Sequence, residues 1–190
     1  MRTLYLIRHG RTKANEQWLY CGSTDLPLSE AGENMLKEVR YRVPKDCIFM
    51  SSGMKRTEQT LEILFGDVPH KVDTRFREVD FGIFEMRSYE ELKQEAEYQQ
   101  WISGDNERNI PPKGESGLQM LERVLEGLKD LQKEKKDVVL ITHGGVIAAM
   151  MSYLFPQEEK NRYEWQPKPG GGYVVLDGCY QELVSNENII

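Results

Sequence analysis

The sequence predicts an α/β domain of three layers, αβα, with helices on both faces of a mostly parallel sheet. Three observations lead there. Short apolar runs alternate with helical periods along the chain, the order that yields a parallel sheet with right-handed crossovers. Two of those runs, Leu4-Tyr5-Leu6-Ile7 and Val138-Val139-Leu140-Ile141, are apolar at every position, as strands buried on both faces are. Each runs on into a histidine followed by glycine, in Arg8-His9-Gly10 and in Thr142-His143-Gly144-Gly145, at the strand end where such sheets hold ligands.

The 190 residues, 39% hydrophobic and 29% charged, suit one globular domain over 1–190. No Gly, Ser or Pro linker divides it, and no apolar run approaches the ~18 residues of a membrane span. The amino terminus is needed as the first strand and its apolar run is too short for a signal peptide, so the expectation is a cytoplasmic protein. Cys21, Cys47 and Cys179 are odd in number and far apart, which fits neither a disulfide framework nor a zinc site. A net charge of -6 argues against nucleic acid as a partner, because that binding rests on neutralising phosphates. Any anion bound here must be met by local arginines. The sequence carries no signal for an oligomeric state.

Taken in order, Leu26-Pro27-Leu28 leads to an N-cap at Ser29 and a helix to about Arg42, with Ala31, Met35, Val39 and Val43 as its buried stripe beside Leu36. Pro44 ends it. A strand follows over Cys47 to Met50, opening into Ser51-Ser52-Gly53, and a helix runs from Lys55 to Leu64 with Gly66 as its C-cap. His70 reads as a solvated loop residue without a role. Arg75 to Gly82 alternates charged and apolar residues without helical period and reads as a loop or a short extended piece. Ser88 with Glu91 makes a capping box for a helix to about Ile102, and a long excursion runs from Gly104 to Gly114. Ser116 with Gln119 caps another helix, buried through Leu118, Leu121, Val124, Leu125, Leu128 and Leu131. After the His143 strand come an apolar helix, Val146 to Leu154, and a hairpin of Tyr173 to Leu176 and Glu182 to Val184 around Asp177-Gly178. Trp18, Trp101 and Trp165 read as packing or rim residues.

Strand ends and adjacent loops thus carry Arg8, His9, Arg56, Glu78 and His143. These are the groups that phosphoryl transfer without a metal requires. Guanidinium forks match the phosphoryl oxygens bidentately and stay charged at any working pH. A neutral imidazole can attack phosphorus, splitting one hard step into two, and neighbouring cations keep it neutral. A carboxylic acid such as Glu78 can protonate the leaving alkoxide, and glycines such as Gly144 let backbone amides approach phosphate at a helix N-terminus. Taken alone, Arg56 reads equally as a residue on an exposed helical turn, and Glu78 as one of 31 acidic residues. A metal site is disfavoured because neither histidine has a ligand partner at metal-site spacing. No cofactor is expected.

Arg8-His9-Gly10 after a strand, Ser51-Ser52-x-x-x-Arg56 with Thr57 and Gln59-Thr60, Arg77-Glu78 with Phe81-Gly82, Gly114-Glu115-Ser116 and Thr142-His143-Gly144-Gly145 resemble the histidine phosphatase (phosphoglycerate mutase-like) superfamily. The resemblance spans nearly the whole chain in order. It implies the phosphoglycerate mutase-like fold, a small phosphorylated substrate and a phosphohistidine intermediate. By that resemblance His9 is the nucleophile, Arg8, Arg56 and His143 bind phosphate, and Glu78 is the proton donor. Asn15, in Thr12-x-x-Asn15, would help hold the phosphate, and Cys21-Gly22 would touch the rest of the substrate.

The chain departs from the family's pattern with Arg11 where glutamate is usual and with Phe84-Glu85-Met86-Arg87 where Trp-Glu-Gly is common. The second segment, followed by an acid-rich helix ending near Trp101, is similar to the α-ribazole phosphatases of cobalamin nucleotide-loop assembly. The chain also lacks the length for the helical insertions of cofactor-dependent mutases. Expected, then, is a phosphomonoesterase with α-ribazole 5′-phosphate as substrate and an aromatic lip from Tyr20, Phe84, Tyr89 or Trp101. The alternatives are a broad-specificity phosphatase, a phosphoglycerate mutase-like enzyme in which Arg11 and Arg87 meet a substrate carboxylate, and a binding module without turnover.

Overall fold

The sheet forms where the sequence is most apolar. A computed structural model describes residues 3–105 and 107–185. Among these, β1 (Leu4–Arg8), β2 (Ile48–Ser51), β3 (His70–Val72), β4 (Val138–Thr142), β5 (Gly172–Leu176) and β6 (Cys179–Glu182) make one six-stranded sheet in the order β3-β2-β4-β1-β5-β6. The first four strands in that order run parallel, β5 pairs antiparallel with β1, and β6 pairs antiparallel with β5. The mostly parallel sheet expected from the apolar runs is what forms.

Alternation along the central strands feeds two cores. Leu4, Leu6, Val138 and Leu140 pack beneath α6 (Gly117–Leu131) and α7 (Gly144–Leu154), while Tyr5, Ile7, Val139 and Ile141 pack beneath α3 (Lys55–Phe65), with α2 (Glu30–Lys37) alongside it. Full burial of each such aliphatic side chain contributes about 1.5–3 kcal/mol, so β1 and β4 are rigid supports. Short helices α1 (Lys13–Glu16), α4 (Tyr89–Leu92) and α5 (Ala96–Ile102) lie in the connections.

Register places the site. Arg8 pairs with Thr142, and Ser51 pairs with Ile141, so His9, Ser52 and His143 leave the sheet side by side at its carboxyl edge. The helices after β1 and β4 go to opposite faces, which opens a crevice between these neighbours.

Several elements differ from their sequence reading, each for a local reason. α2 ends at Lys37 rather than near Arg42, because the Val39 N–H bonds back to Leu36 O at 3.0 Å and tightens the last turn. It docks through Gly32, where a Cβ would lie 2.1 Å from Arg11 O. That contact turns Ala31 and Met35 outward and leaves Leu36 as the buried side chain. The helix expected to run from Ser88 to Ile102 is two, α4 and α5, because Glu95 N–H closes a turn on Leu92 O and the Glu95 carboxylate pairs with Arg87. On α6 the Phe76 ring lies against Gly127, so Met120, Val124, Gly127, Leu128 and Leu131 face inward and Leu118, Leu121 and Leu125 are half-buried. α7 starts two residues earlier than expected. His70 lies in β3, not a loop, with Nε2 2.8 Å from Glu58 Oε2. Asp177 and Gly178 both have positive φ, the two-residue turn that obliges β6 to begin at Cys179 instead of Glu182.

Candidate active site

β1 delivers Arg8 and His9 to the sheet edge. His9 N–H donates to Thr142 O at 2.9 Å, which ties it to β4. Its ring Nδ1 lies 2.6 Å from Gly10 O. A carbonyl only accepts, so the hydrogen is assigned to Nδ1 and the lone pair to Nε2. The ring is 5% exposed. Burial first, then the Arg56 and Arg8 charges, hold its pKa well below the ordinary 6.5, and the ring is neutral at neutral pH.

Arg56, on the first turn of α3, is 1% exposed. Its Nη2 donates to Gly22 O at 2.7 Å, Nη1 to Thr24 O at 2.8 Å and Nε to His143 Nδ1 at 3.3 Å. Accepting at Nδ1 leaves His143 to donate from Nε2 to Ser52 Oγ, 2.8 Å away. The run continues through Ser52 Oγ to Thr57 Oγ1, which donates to Met54 O. Burial, then Arg56, pushes the His143 pKa well below 6.5 as well. The two imidazoles meet edge to face with centroids 5.1 Å apart.

Arg8 Nη1 donates to Pro167 O, but its buried Nε has no partner. An unsatisfied buried donor costs about 1–3 kcal/mol, and an oxyanion is the group that would satisfy this one. Two glycines admit the neighbouring side chains. A Cβ on Gly144 would lie 2.9 Å from Arg8 Cζ, and one on Gly145 would lie 2.4 Å from Glu78 Oε1. Glu78 in turn accepts the Gly145 N–H at 2.9 Å and the Val79 N–H at 3.0 Å.

Asn15 is the third residue of the capping box that opens α1, with Oδ1 accepting from Thr12 N–H at 3.0 Å. It lines a cleft of about 710 Å³ together with Arg8, Arg11, Trp18, Tyr20 and Tyr89. Cys21 is half-buried, and burial pushes its thiol pKa up despite the opposing Arg56 charge. Gly22 contributes its carbonyl to Arg56 rather than a surface to the cleft. The structure therefore gathers Arg8, His9, Arg56, Glu78, His143 and Gly144 at one place, with Asn15 on the cleft wall and Cys21-Gly22 flanking Arg56.

The lip differs from expectation. Phe84 is fully buried, and Trp101 packs against Tyr20, Phe81, Phe84 and Tyr98. Of the expected lip, Tyr20 and Tyr89, the latter 52% exposed, line the cleft, and Trp18, which is 86% exposed, joins them at the rim. Leu19 N–H bonds to Ala14 O at 2.9 Å, closing the end of α1 in a Schellman pattern, and Trp18 takes the left-handed position, φ 56, that usually goes to glycine. Arg87 is engaged by Glu95. Arg123 was not legible in the sequence: from α6 it donates to the carbonyls of Arg75 at 2.7 Å, Arg77 at 2.6 Å and Glu78 at 3.1 Å, and pairs with Glu115. It fixes the backbone beneath Glu78, and the Gly114-Glu115-Ser116 motif was its one outward sign.

Among the described residues no three His, Cys, Asp or Glu side chains cluster so as to hold a metal ion, and no helix is long and apolar enough to cross a membrane. The profile of the Histidine phosphatase superfamily (branch 1) matches residues 4–181. The chain belongs to this superfamily. It is a phosphatase or mutase-like enzyme of that group. An Escherichia coli relative named Probable phosphoglycerate mutase GpmB is 32% identical over 163 residues, 81% of this chain and 75% of that protein. The solved α-ribazole phosphatase of Shigella flexneri superposes with a TM-score of 0.82 at 25% identity, covering 97% of this chain and 96% of that one. A phosphoglycerate mutase of Thermus thermophilus superposes with a TM-score of 0.72 at 29% identity, covering 96% and 97%. The fold is the phosphoglycerate mutase-like one expected from the motifs.

Proposed function

We propose that the protein hydrolyses a phosphomonoester in two steps through phosphohistidine at His9, and that α-ribazole 5′-phosphate is its substrate. The observation that carries the mechanism is the bond from His9 Nδ1–H to Gly10 O, which leaves Nε2 as a neutral nucleophile beside Arg8 and Arg56. Arg8, with its unpaired Nε, and Arg56 bind the phosphoryl oxygens, helped by the first amides of α7 at Gly144. Asn15 completes that cradle, and His143 joins it by turning its Nε2–H from Ser52 to a phosphoryl oxygen. Nε2 attacks phosphorus, the P–O bond to the alcohol breaks, and Glu78 as the acid supplies the proton to the departing oxygen. Glu78 then takes a proton from water, whose oxygen attacks the phosphohistidine and releases inorganic phosphate and free imidazole.

The substrate reading draws on the rim. α-Ribazole presents a sugar and a flat apolar base, and the aromatic residues Trp18, Tyr20 and Tyr89 line the same cleft as Arg8. Likeness to an α-ribazole phosphatase over nearly the whole chain points the same way, and would place the enzyme in cobalamin nucleotide-loop assembly. One observation favours a second reading. Arg11 also lines the cleft, where an added cation suits the carboxylate of a phosphoglycerate, and a mutase-named relative is 32% identical to this chain over 163 residues.

Comparing kcat/KM for α-ribazole 5′-phosphate, 3-phosphoglycerate and a simple sugar phosphate decides between them, because that ratio measures differential transition-state binding. Preference for the first is expected. Preference for 3-phosphoglycerate, or its isomerisation in the presence of a bisphosphoglycerate primer, would establish the second reading, and equal rates would mark a broad phosphatase.

A further inference from the structure

The loop that holds Arg56 is itself held by a single carboxylate. Glu85 Oε1 accepts the N–H groups of Gly22 at 2.9 Å, Ser23 at 3.0 Å and Phe81 at 3.1 Å. Its Oε2 accepts the Thr24 N–H at 3.2 Å and the Thr24 hydroxyl at 2.6 Å. Three successive amides turned to one side form the concave arrangement in which proteins bind anions. Here a side chain of the protein fills it.

The consequence lies on the other side of the same loop. The Gly22–Ser23 peptide turns its N–H, on Ser23, to Glu85 and so points its carbonyl, on Gly22, at Arg56 Nη2, while Thr24, held by Glu85 through its N–H and hydroxyl, presents its carbonyl to Arg56 Nη1. That fixes the plane of the guanidinium, and its remaining Nε–H reaches His143 Nδ1. The nitrogen on which His143 carries its hydrogen is set by that donation. The chain of dependence therefore runs from Glu85 through the 22–24 backbone to Arg56 and on to His143.

We propose that Glu85 is the positioning residue of the phosphate site, acting through Arg56 without touching a reacting atom. An amide in its place would keep one acceptor oxygen but set an NH2 group against backbone N–H donors, and the loop would shift. Because charge-assisted hydrogen bonds are about twice as strong as neutral ones, the carboxylate form is what the five donors require.

The test is a double-mutant cycle on the full chain, with p-nitrophenyl phosphate turnover and orthovanadate affinity as readouts, so that it does not depend on which alcohol is the natural leaving group. Glu85→Gln is expected to lower kcat by about 10²-fold, the scale of an ångström-sized misplacement, and to weaken vanadate binding in step. In an Arg56→Ala background the same substitution should cost little more, because the residue it acts through is gone. Thr24→Val removes one of the five bonds and leaves the carbonyl in place, so a smaller loss that also vanishes without Arg56 is expected, and it serves if Glu85→Gln does not fold. Wild-type turnover and vanadate affinity in these variants, or a loss of the same factor with and without Arg56, would overturn the proposal and leave Glu85 as a structural staple.

Discussion

At the carboxyl edge of the sheet Arg56, His143, Ser52 and Thr57 form an unbroken, fully buried run of hydrogen bonds, whereas at the rim of the cleft Trp18 and Tyr89 stand largely in solvent. Inside, each polar group has one geometry open to it, since a buried group left unpaired costs more than the bond itself contributes. Outside, Trp18 occupies a left-handed backbone position that costs about 1–2 kcal/mol for a residue with a Cβ. The difference teaches where selectivity and chemistry are kept. Changes within should alter the rate on every ester, and changes at the rim should alter the ratio between esters.

The largest departure from that division is expected at Glu78, which belongs to the interior but acts on the leaving group. An alkoxide departs poorly without a proton and a nitrophenolate departs well alone. Glu78→Gln should therefore cut hydrolysis of alkyl phosphates by about 10²–10⁴-fold, the range of general acid catalysis, and spare the first step on p-nitrophenyl phosphate. Rapid-mixing kinetics on the two substrates would show this, and an equal loss on both would make Glu78 a phosphate-positioning group.

Next comes Gly145→Ala. Its methyl would come within 2.4 Å of Glu78 Oε1, and a carboxyl displaced by about an ångström costs on the order of 10²-fold. The loss should fall more heavily on alkyl than on nitrophenyl esters, which separates it from general damage to the fold.

At the rim, Trp18→Ala should lower kcat/KM for an ester with a flat aromatic base by about 10-fold, within the ~1–3 kcal/mol of one stacking contact, and leave a simple sugar phosphate unchanged. Trp18→Gly should lose the same selectivity with no cost in thermal stability, because glycine relieves the left-handed strain. An equal loss on both substrates would place Trp18 with the interior.

The smallest effect is a pH dependence. The buried His9 and His143 have folded-state pKa values well below 6.5, while in the unfolded chain they titrate near it. As pH falls past 6.5 the unfolded state takes up protons first. Stability should thus be full above pH 6.5 and decline below it, and kcat should stay level through 6.5 before its acid limb begins. Thermal melts and initial rates across pH 5 to 8 test both halves. An acid limb centred on 6.5 would mean that His9 behaves as an exposed imidazole.

The same division governs what the sequence made legible. Buried strands announce themselves, since Leu4 to Ile7 and Val138 to Ile141 must be apolar at every position, and their His-Gly ends marked His9 and His143 directly. Backbone-mediated parts stayed hidden. Gly32 docks α2 by close approach, which no periodicity of apolar residues encodes, and so the stripe through Ala31 and Met35 was misplaced. Arg123 grips three carbonyls from a helix 45 residues away in sequence, and on paper it is one cation among 25. For Trp18 the sequence left packing and rim equally open, because the Schellman turn that lifts it out uses tryptophan where glycine is the usual signal.

The neutral His9 with its lone pair on Nε2 is the claim on which the rest depends. The direct measurement is to mix enzyme with a phosphomonoester, quench within milliseconds in alkaline denaturant, and identify the modified nitrogen by mass spectrometry and phosphorus NMR. Phosphate is expected on Nε2 of His9, formed in a burst and absent from His9→Ala, which should also lack turnover. Phosphate on Nδ1, on another residue, or on none while His9→Ala keeps its activity would contradict it.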